Sequence, residues 1–189
     1  MIRFLFKHKI KNCINDKIFI KDSIIKCLKL VKIETLSGEN QMAIHLAHKE
    51  ILKLSKEKNN SDEVVIIVDL FENKFLTPEF GNSTFTNIIH LENAIALDKG
   101  DYQRYALCHN HPGCGNFSLN DIREFIICDS IKVITIVTNN GKVMYLVKDK
   151  KYVGSKAIEF MKNCIQHGNE EKVVEIFFNN LYHLGIRRR

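Results

Sequence analysis

No Cys-x-x-Cys pair occurs in this chain, and its six cysteines, Cys13, Cys27, Cys108, Cys114, Cys128 and Cys164, follow no paired spacing. A disulfide scaffold is therefore not indicated, and free thiols in a reducing cytosol are the expectation. Neither a signal-peptide pattern nor an apolar run long enough to span a bilayer is read, so a cytoplasmic protein with no membrane partner is expected. Only two prolines interrupt the sequence. Internal repeats, low-complexity segments and a Gly-rich phosphate loop are missing too, so nothing indicates a repeat array or a phosphate cradle. No basic run is interleaved with aromatics in the way a single-strand nucleic-acid groove requires.

What is present is 189 residues with 45% hydrophobic content, one domain's worth of chain with appendages and enough apolar surface to bury a core. The net charge of +6 comes mostly from lysines scattered through the first sixty positions, plus Arg187-Arg188-Arg189. Such a balance permits contact with nucleic acid or an acidic partner. A solvated, lysine-rich surface is the plainer reading, and nucleic acid is an open but not a favoured partner.

Residues 1–11 alternate imperfectly between apolar and basic side chains and read as an edge strand or an extension packed on the core. Asp22-Ser23 is placed to start a helix reaching about Leu30. Ser37-Gly38-Glu39-Asn40 is the first clear break, after which Met42, Leu46, Ile51, Leu52 and Leu54 recur at helical spacing, giving an amphipathic helix over 41–57. His45 and His48 on it read as surface histidines. Val64-Val65-Ile66-Ile67-Val68-Asp69-Leu70 is almost unbroken β-branched chain, which argues for a strand buried on both faces at the centre of a sheet. Thr84 to Ile89 is a further strand candidate, and residues 92–103 are read as holding a short helix. Asn139-Asn140-Gly141 between two apolar runs is a hairpin signal, and its two strands are expected to complete the sheet, with Lys148 to Lys151 ending the core. Two helices, 154–166 and 170–184, follow, joined through Gly168 as a C-terminal cap. The fold class read from this order is α/β of the α+β type, a mixed central β-sheet flanked by helices. The segments are an N-terminal extension, 1–38, a central domain, 39–150, and a C-terminal helical segment, 151–189.

The chemistry is concentrated in Cys108-His109-Asn110-His111-Pro112-Gly113-Cys114-Gly115-Asn116-Phe117-Ser118-Leu119-Asn120-Asp121. Tyr105 to Cys108 reads as a short buried strand, and in a strand residues i and i+2 share a face, so His109 and His111 aim their rings at one point. Pro112, Gly113 and Gly115 turn the chain. Ser118 N-caps the next helix, and Asp121 falls in its first turn. Two nitrogens and one oxygen result, a set that zinc accepts in catalytic sites at about 2.0 to 2.2 Å per ligand. A single strand-end histidine is more often a surface residue, and Ser-x-x-Asp alone is more often a helix cap. The coincidence of all four residues in one strand-turn-helix unit, with a proline directly after the second histidine, selects the metal reading. Cys108 alternates away from the histidines and reads as core packing, and Cys114 is not assigned as a ligand.

His-x-His-Pro followed by Ser-x-x-Asp resembles the signature of the JAB/MPN (JAMM) metalloprotease superfamily, and the His-Asn-His-Pro form is similar to its bacterial RadC-like branch. The motif itself covers Cys108 to about Glu124, and the order of elements extends the likeness to roughly residues 40–150. Six residues separate His111 from Ser118, where the common form has seven, so the turn is one residue tighter. The resemblance implies a cytidine-deaminase-like JAB/MPN core over 39–150, one zinc ion held by His109, His111 and Asp121, and Ser118 supporting the oxyanion of a tetrahedral intermediate.

The family also needs an upstream glutamate as general acid/base. Glu50, Glu57, Glu63, Glu72, Glu79 and Glu92 are the candidates. Glu63 stands just before the first long core strand, where RadC-like relatives carry theirs, and a residue at the mouth of a strand is fixed by the sheet as a loop residue such as Glu79 is not. The ordinary alternative for Glu63 is an exposed strand-end carboxylate. The function so implied is a zinc-dependent metalloprotease or isopeptidase acting on a protein or peptide substrate, including a ubiquitin-like conjugate. The alternatives are a RadC-like DNA-associated protein and a catalytically inactive MPN-type scaffold. An HNH nuclease is discounted, because its residues are dispersed over a longer unit whose second half is not found here.

Overall fold

A computed structural model describes residues 17–189 of the chain, so the reading of residues 1–11 lies outside the described residues. After a short helix α1 (Asp22–Cys27), the long helix α2 (Gly38–Lys58) leads to strand β1 (Val64–Asp69). Two short strands, β2 (Lys74–Phe75) and β3 (Glu79–Phe80), fold back on β1, and α3 (Leu91–Lys99) follows. Then come β4 (Tyr105–His111), α4 (Leu119–Ile127), β5 (Ile131–Thr138) and β6 (Val143–Lys148). Helices α5 (Gly154–His167) and α6 (Glu170–Asn180), a 3-10 turn (Leu181–Leu184) and strand β7 (Ile186–Arg188) close the chain.

The seven strands form one mixed sheet in the order β2-β1-β4-β5-β6-β7, with β3 also pairing β1. β4 and β5 are parallel and the other pairs antiparallel. A parallel pair needs a crossover, and the motif loop with α4 supplies it. The fold is thus mixed α/β with helices on both faces, as expected, but its centre is β4 and β5. The β-branched run of β1 lies one strand further out, buried because the β2–β3 chain covers its outer side. Nor does the hairpin complete the sheet: β7 adds an edge strand to β6, and a run of three arginines hid it as a charged tail.

Each sheet face carries its own core. On one, α2 lays Ala43, Ile44, Ala47, Ile51 and Leu52 against Val64, Ile66, Val68, Ala106, Cys108 and Val133. On the other, α4, α5 and α6 bring Ile122, Phe125, Ile126, Met161 and Phe177 against Val65, Ile67, Leu107, Ile134 and Leu146. The C-terminal helices therefore cover the sheet. Ile51, Leu52 and Leu54 are buried as expected, whereas Met42 and Leu46 are exposed. The alanines let α2 approach the sheet closely, and this turns the helix by about one position.

That rotation buries His48, which was expected at the surface. It is 3% exposed, with Nε2 2.7 Å from Thr135 Oγ1. Thr84 to Ile89 forms no strand: Asn82 Oδ1 accepts from Thr84 N–H, the Thr84 hydroxyl and Phe85 N–H, closing a tight local turn instead. Gly168 is the C-cap of α5, as expected, with extended backbone (φ −155°, ψ 160°). Lys148, expected to end the core in solvent, is fully buried; its Nζ donates to Cys128 O at 2.8 Å, at the C-terminal end of α4, and lies over the Phe125 and Tyr152 rings. Burial lowers its pKa to about 8. No helix among the described residues is long and apolar enough to cross a membrane.

Burial depresses the His48 pKa from 6.5 to about 3, with His45 and His109 adding repulsion. The unfolded chain binds a proton near pH 6.5 that the folded chain refuses, so this stability is complete above pH 6.5 and is lost as the pH falls toward 3. Denaturant titrations at pH 7 and pH 5 are expected to show the wild type losing on the order of 1–2 kcal/mol more than His48→Gln. An identical pH dependence in the two proteins would refute the buried neutral imidazole.

Candidate metal centre

His109 and His111 leave β4 on the same face, and the register determines what else reaches it. Val65 is the direct partner of His109 across the β1–β4 pair. Opposed residues share a face, and side chains alternate along a strand, so Glu63, two residues before Val65, returns to the histidine face. Pro112 and the glycines end β4, and α4 begins one crossover later at the C-terminal end of that strand. Sites in open α/β sheets gather at such a boundary, where the chain's direction of pairing changes.

The ring nitrogens of His109 and His111 stand 3.1 Å apart, Nε2 to Nε2. Asp121 Oδ1 lies 3.3 Å from His109 Nε2, and Oδ2 lies 3.6 Å from His111 Nε2. Asp121 is held by its own helix. Ser118 donates to Oδ2 from both its N–H and its hydroxyl, each at 2.7 Å, while Ser118 Oγ accepts Asp121 N–H at 3.2 Å. This is a complete capping box. It engages Oδ2 and leaves Oδ1 facing the His109 imidazole.

The three groups could hold a metal ion, and their spacing can be set against that of zinc. Ligands of a tetrahedral site with bonds of about 2.0–2.1 Å stand roughly 3.3 Å from one another. The His109–His111 and His109–Asp121 separations of 3.1 and 3.3 Å match that spacing. Among the described residues this is the one group of three histidine, cysteine or acidic side chains whose ligand atoms converge, all within 4.8 Å of one another. Neither nearby cysteine joins it. Cys108 is buried on the opposite face, its thiol pushed up to about 12 by desolvation, and exposed Cys114 accepts a hydrogen bond from Asn140 Nδ2 at 3.1 Å.

The electrostatics of the cluster are those of opposed charges in a confined space. Burial works against a charged His109, but the Asp121 carboxylate beside it, with Glu63 contributing, outweighs burial and raises its pKa. Asp121 also suffers burial, and the two histidines hold its carboxyl well below the usual range. Glu63 is the exception. Burial raises its pKa, and the Asp121 charge adds to the rise, against the opposing pull of His109 and His111.

The other glutamates are occupied or misplaced. Glu79 sits on β3, not in a loop, and is 1% exposed; its Oε1 accepts from Ile89 N–H, His90 N–H and Asn93 Nδ2, and Oε2 lies 2.9 Å from His90 Nδ1. It anchors the start of α3. Glu92 accepts from Thr77, and Glu72 pairs with Lys74. Glu50 and Glu57 lie on α2, which packs on the opposite sheet face. Two neighbours of Glu63 were not read from the sequence: Thr86, whose hydroxyl interacts with the Glu63 carboxyl, and Asn110, buried behind the histidines. Neither a scan of protein-family models nor searches of curated proteins and solved structures return a match.

Zinc titration of the metal-free protein is expected to give one ion per chain, with binding lost in His109→Ala, His111→Ala and Asp121→Ala. Ser118→Ala keeps all three ligands but frees Asp121, and is expected to weaken affinity by about 10–100-fold. Unchanged affinity in that variant would show that the cap does not orient the ligand.

Proposed function

We propose that the chain is a zinc-dependent metallopeptidase of the JAB/MPN (JAMM) type, hydrolysing a peptide or isopeptide amide bond, with its sheet and helices forming a cytidine-deaminase-like JAB/MPN core. The observation that carries this reading is the convergence of His109, His111 and the Asp121 carboxylate, with the Glu63 carboxyl electrostatically coupled to the same cluster. Zinc held by the three residues would supply Lewis acidity, activating water at neutral pH and polarising the scissile carbonyl.

Glu63 is the general base and then the general acid. Its carboxylate takes a proton as the water oxygen bonds to the carbonyl carbon. It gives that proton to the nitrogen as the C–N bond breaks, releasing an amine and a carboxylic acid. Burial shifts the Glu63 pKa upward, the direction that favours a group which must both take and return a proton. Ser118 holds Asp121 in ligating orientation; the oxyanion role that the resemblance suggests requires its hydroxyl to leave Asp121 Oδ2.

The substrate class is a protein or peptide, a ubiquitin-like conjugate among them, and the free cysteines suit a cytoplasmic setting. A DNA-associated role rests on the net charge and on the RadC-like His-Asn-His-Pro form. Two of the three terminal arginines, though exposed, have partners within the chain: Arg187 pairs with Glu34 and Asp149, and Arg188 lies over the Phe178 ring. An inactive scaffold has no need of the complete donor set.

Cleavage of a ubiquitin-like isopeptide conjugate and of a fluorogenic peptide library is the direct test, with chelator expected to abolish it and zinc to restore it. Glu63→Gln is expected to bind zinc as the wild type does and to lose at least about 100-fold in kcat. Wild-type turnover in Glu63→Gln would place the base elsewhere.

A further inference from the structure

The hydrolytic reading uses two members of the His-Asn-His triplet and leaves the middle one without a role. Asn110 alternates to the opposite face of β4 and is fully buried there. Its Oδ1 accepts Val64 N–H at 2.7 Å. Its Nδ2 donates toward Asn139 Oδ1 at 2.8 Å, Asp62 O at 3.2 Å and Ser55 Oγ at 3.3 Å. The two main-chain groups it holds, the Asp62 carbonyl and the Val64 N–H, lie on either side of Glu63. The backbone pairing of β1 with β4 ends at Val65 and His109, and the Asn110 side chain extends the link past that point.

The chain entering Glu63 needs such support. Asn60 (φ 49°) and Ser61 (φ 60°) are consecutive left-handed residues with side chains, a conformation that persists only where its surroundings enforce it. Asn139, which receives the Asn110 amide, donates from its own Nδ2 to Ser61 O at 2.8 Å. Asn59 Nδ2 donates to Glu63 O at 2.8 Å, and Glu63 N–H donates to Asn82 O at 3.2 Å. Every peptide unit from Ser61 to Val64 is thus tied to a buried amide or a neighbouring loop.

We propose that Asn110 is a positioning residue: by clamping the peptide groups on both sides of Glu63, it holds that carboxylate over the histidine pair while its sequence neighbours hold the ion on the other face. The inference rests on the hydrolytic reading of the site. The position requires an acceptor for Val64 N–H and a donor for Asp62 O in one short side chain. Aspartate has no donor for the carbonyl, and alanine has neither group.

Amide hydrogen exchange on the full-length protein, with Zn2+ titration and turnover measured in parallel, tests this. In the wild type the Val64 amide is expected to exchange slowly. In Asn110→Ala its protection is expected to be lost while the β1–β4 ladder stays protected, zinc affinity and KM are expected to hold, and kcat is expected to fall about 100-fold, the scale of a small misplacement of a reacting group. Fast Val64 exchange in the wild type overturns the proposal without recourse to any variant, and so does full turnover in Asn110→Ala. If the wild type cleaves no substrate, the hydrolytic reading fails while the exchange rates still decide whether the clamp exists.

Discussion

The Asp121 carboxylate does two things at once, and the arrangement of the site depends on their compatibility. Oδ2 closes the first turn of α4 through the N–H and hydroxyl of Ser118, while Oδ1 faces the imidazole of His109. A helix cap is ordinarily worth about 1 kcal/mol and concerns only the helix. Here the same hydrogen bonds fix the rotamer of a side chain that completes a three-donor set, so the local stability of α4 and the geometry of the donors are one constraint. Ligating carboxylates elsewhere are oriented by such outer hydrogen bonds, and the orientation governs affinity.

The second constraint is the sheet register. β4 presents His109 and His111 to one face and Asn110 to the other, and its antiparallel pairing with β1 brings Glu63 to the histidine side. A slip of one residue in that pairing would send the glutamate to the wrong face. The burial of both sheet faces makes such a slip costly, because it would also move Val65 and Ile67 out of one core and Ile66 and Val68 out of the other. The helices on the two faces therefore serve the site indirectly, α2 from behind and α4 to α6 from the side on which the donors lie.

The parts of this arrangement legible in the sequence were those set by near neighbours. The two histidines, the capping serine and the aspartate fall within thirteen residues, and strand alternation and helix capping are local rules that place them together. Glu63 was singled out only through the family resemblance, which puts a glutamate before the first long core strand, and the pairing that brings it to the histidine strand was not legible. Asn110 was invisible as a functional residue because its partners, Ser55, Asp62, Val64 and Asn139, come from four separate places in the chain. His48 was misjudged because alanines carry a weak apolar signal, and Ala43 and Ala47 decide which side of α2 faces the sheet. The segment from Thr84 to Ile89 has strand-like composition, but the Asn82 side chain caps the start of its backbone in a local turn, and turn chemistry overrode propensity.

Electrostatics give the site its chemical bias. Two carboxylates and two imidazoles are electrostatically coupled; the histidines hold the Asp121 pKa down, and burial pushes that of Glu63 up. A divalent cation among the nitrogens and Oδ1 would relieve the repulsion between the carboxylates and complete the donor set. The most direct test is a crystal structure of the zinc-loaded protein with anomalous scattering recorded at the zinc edge. The account requires one anomalous peak bonded to His109 Nε2, His111 Nε2 and Asp121 Oδ1, with the Glu63 carboxylate beside it. No peak at that position, or Asp121 turned away from both imidazoles, would contradict it.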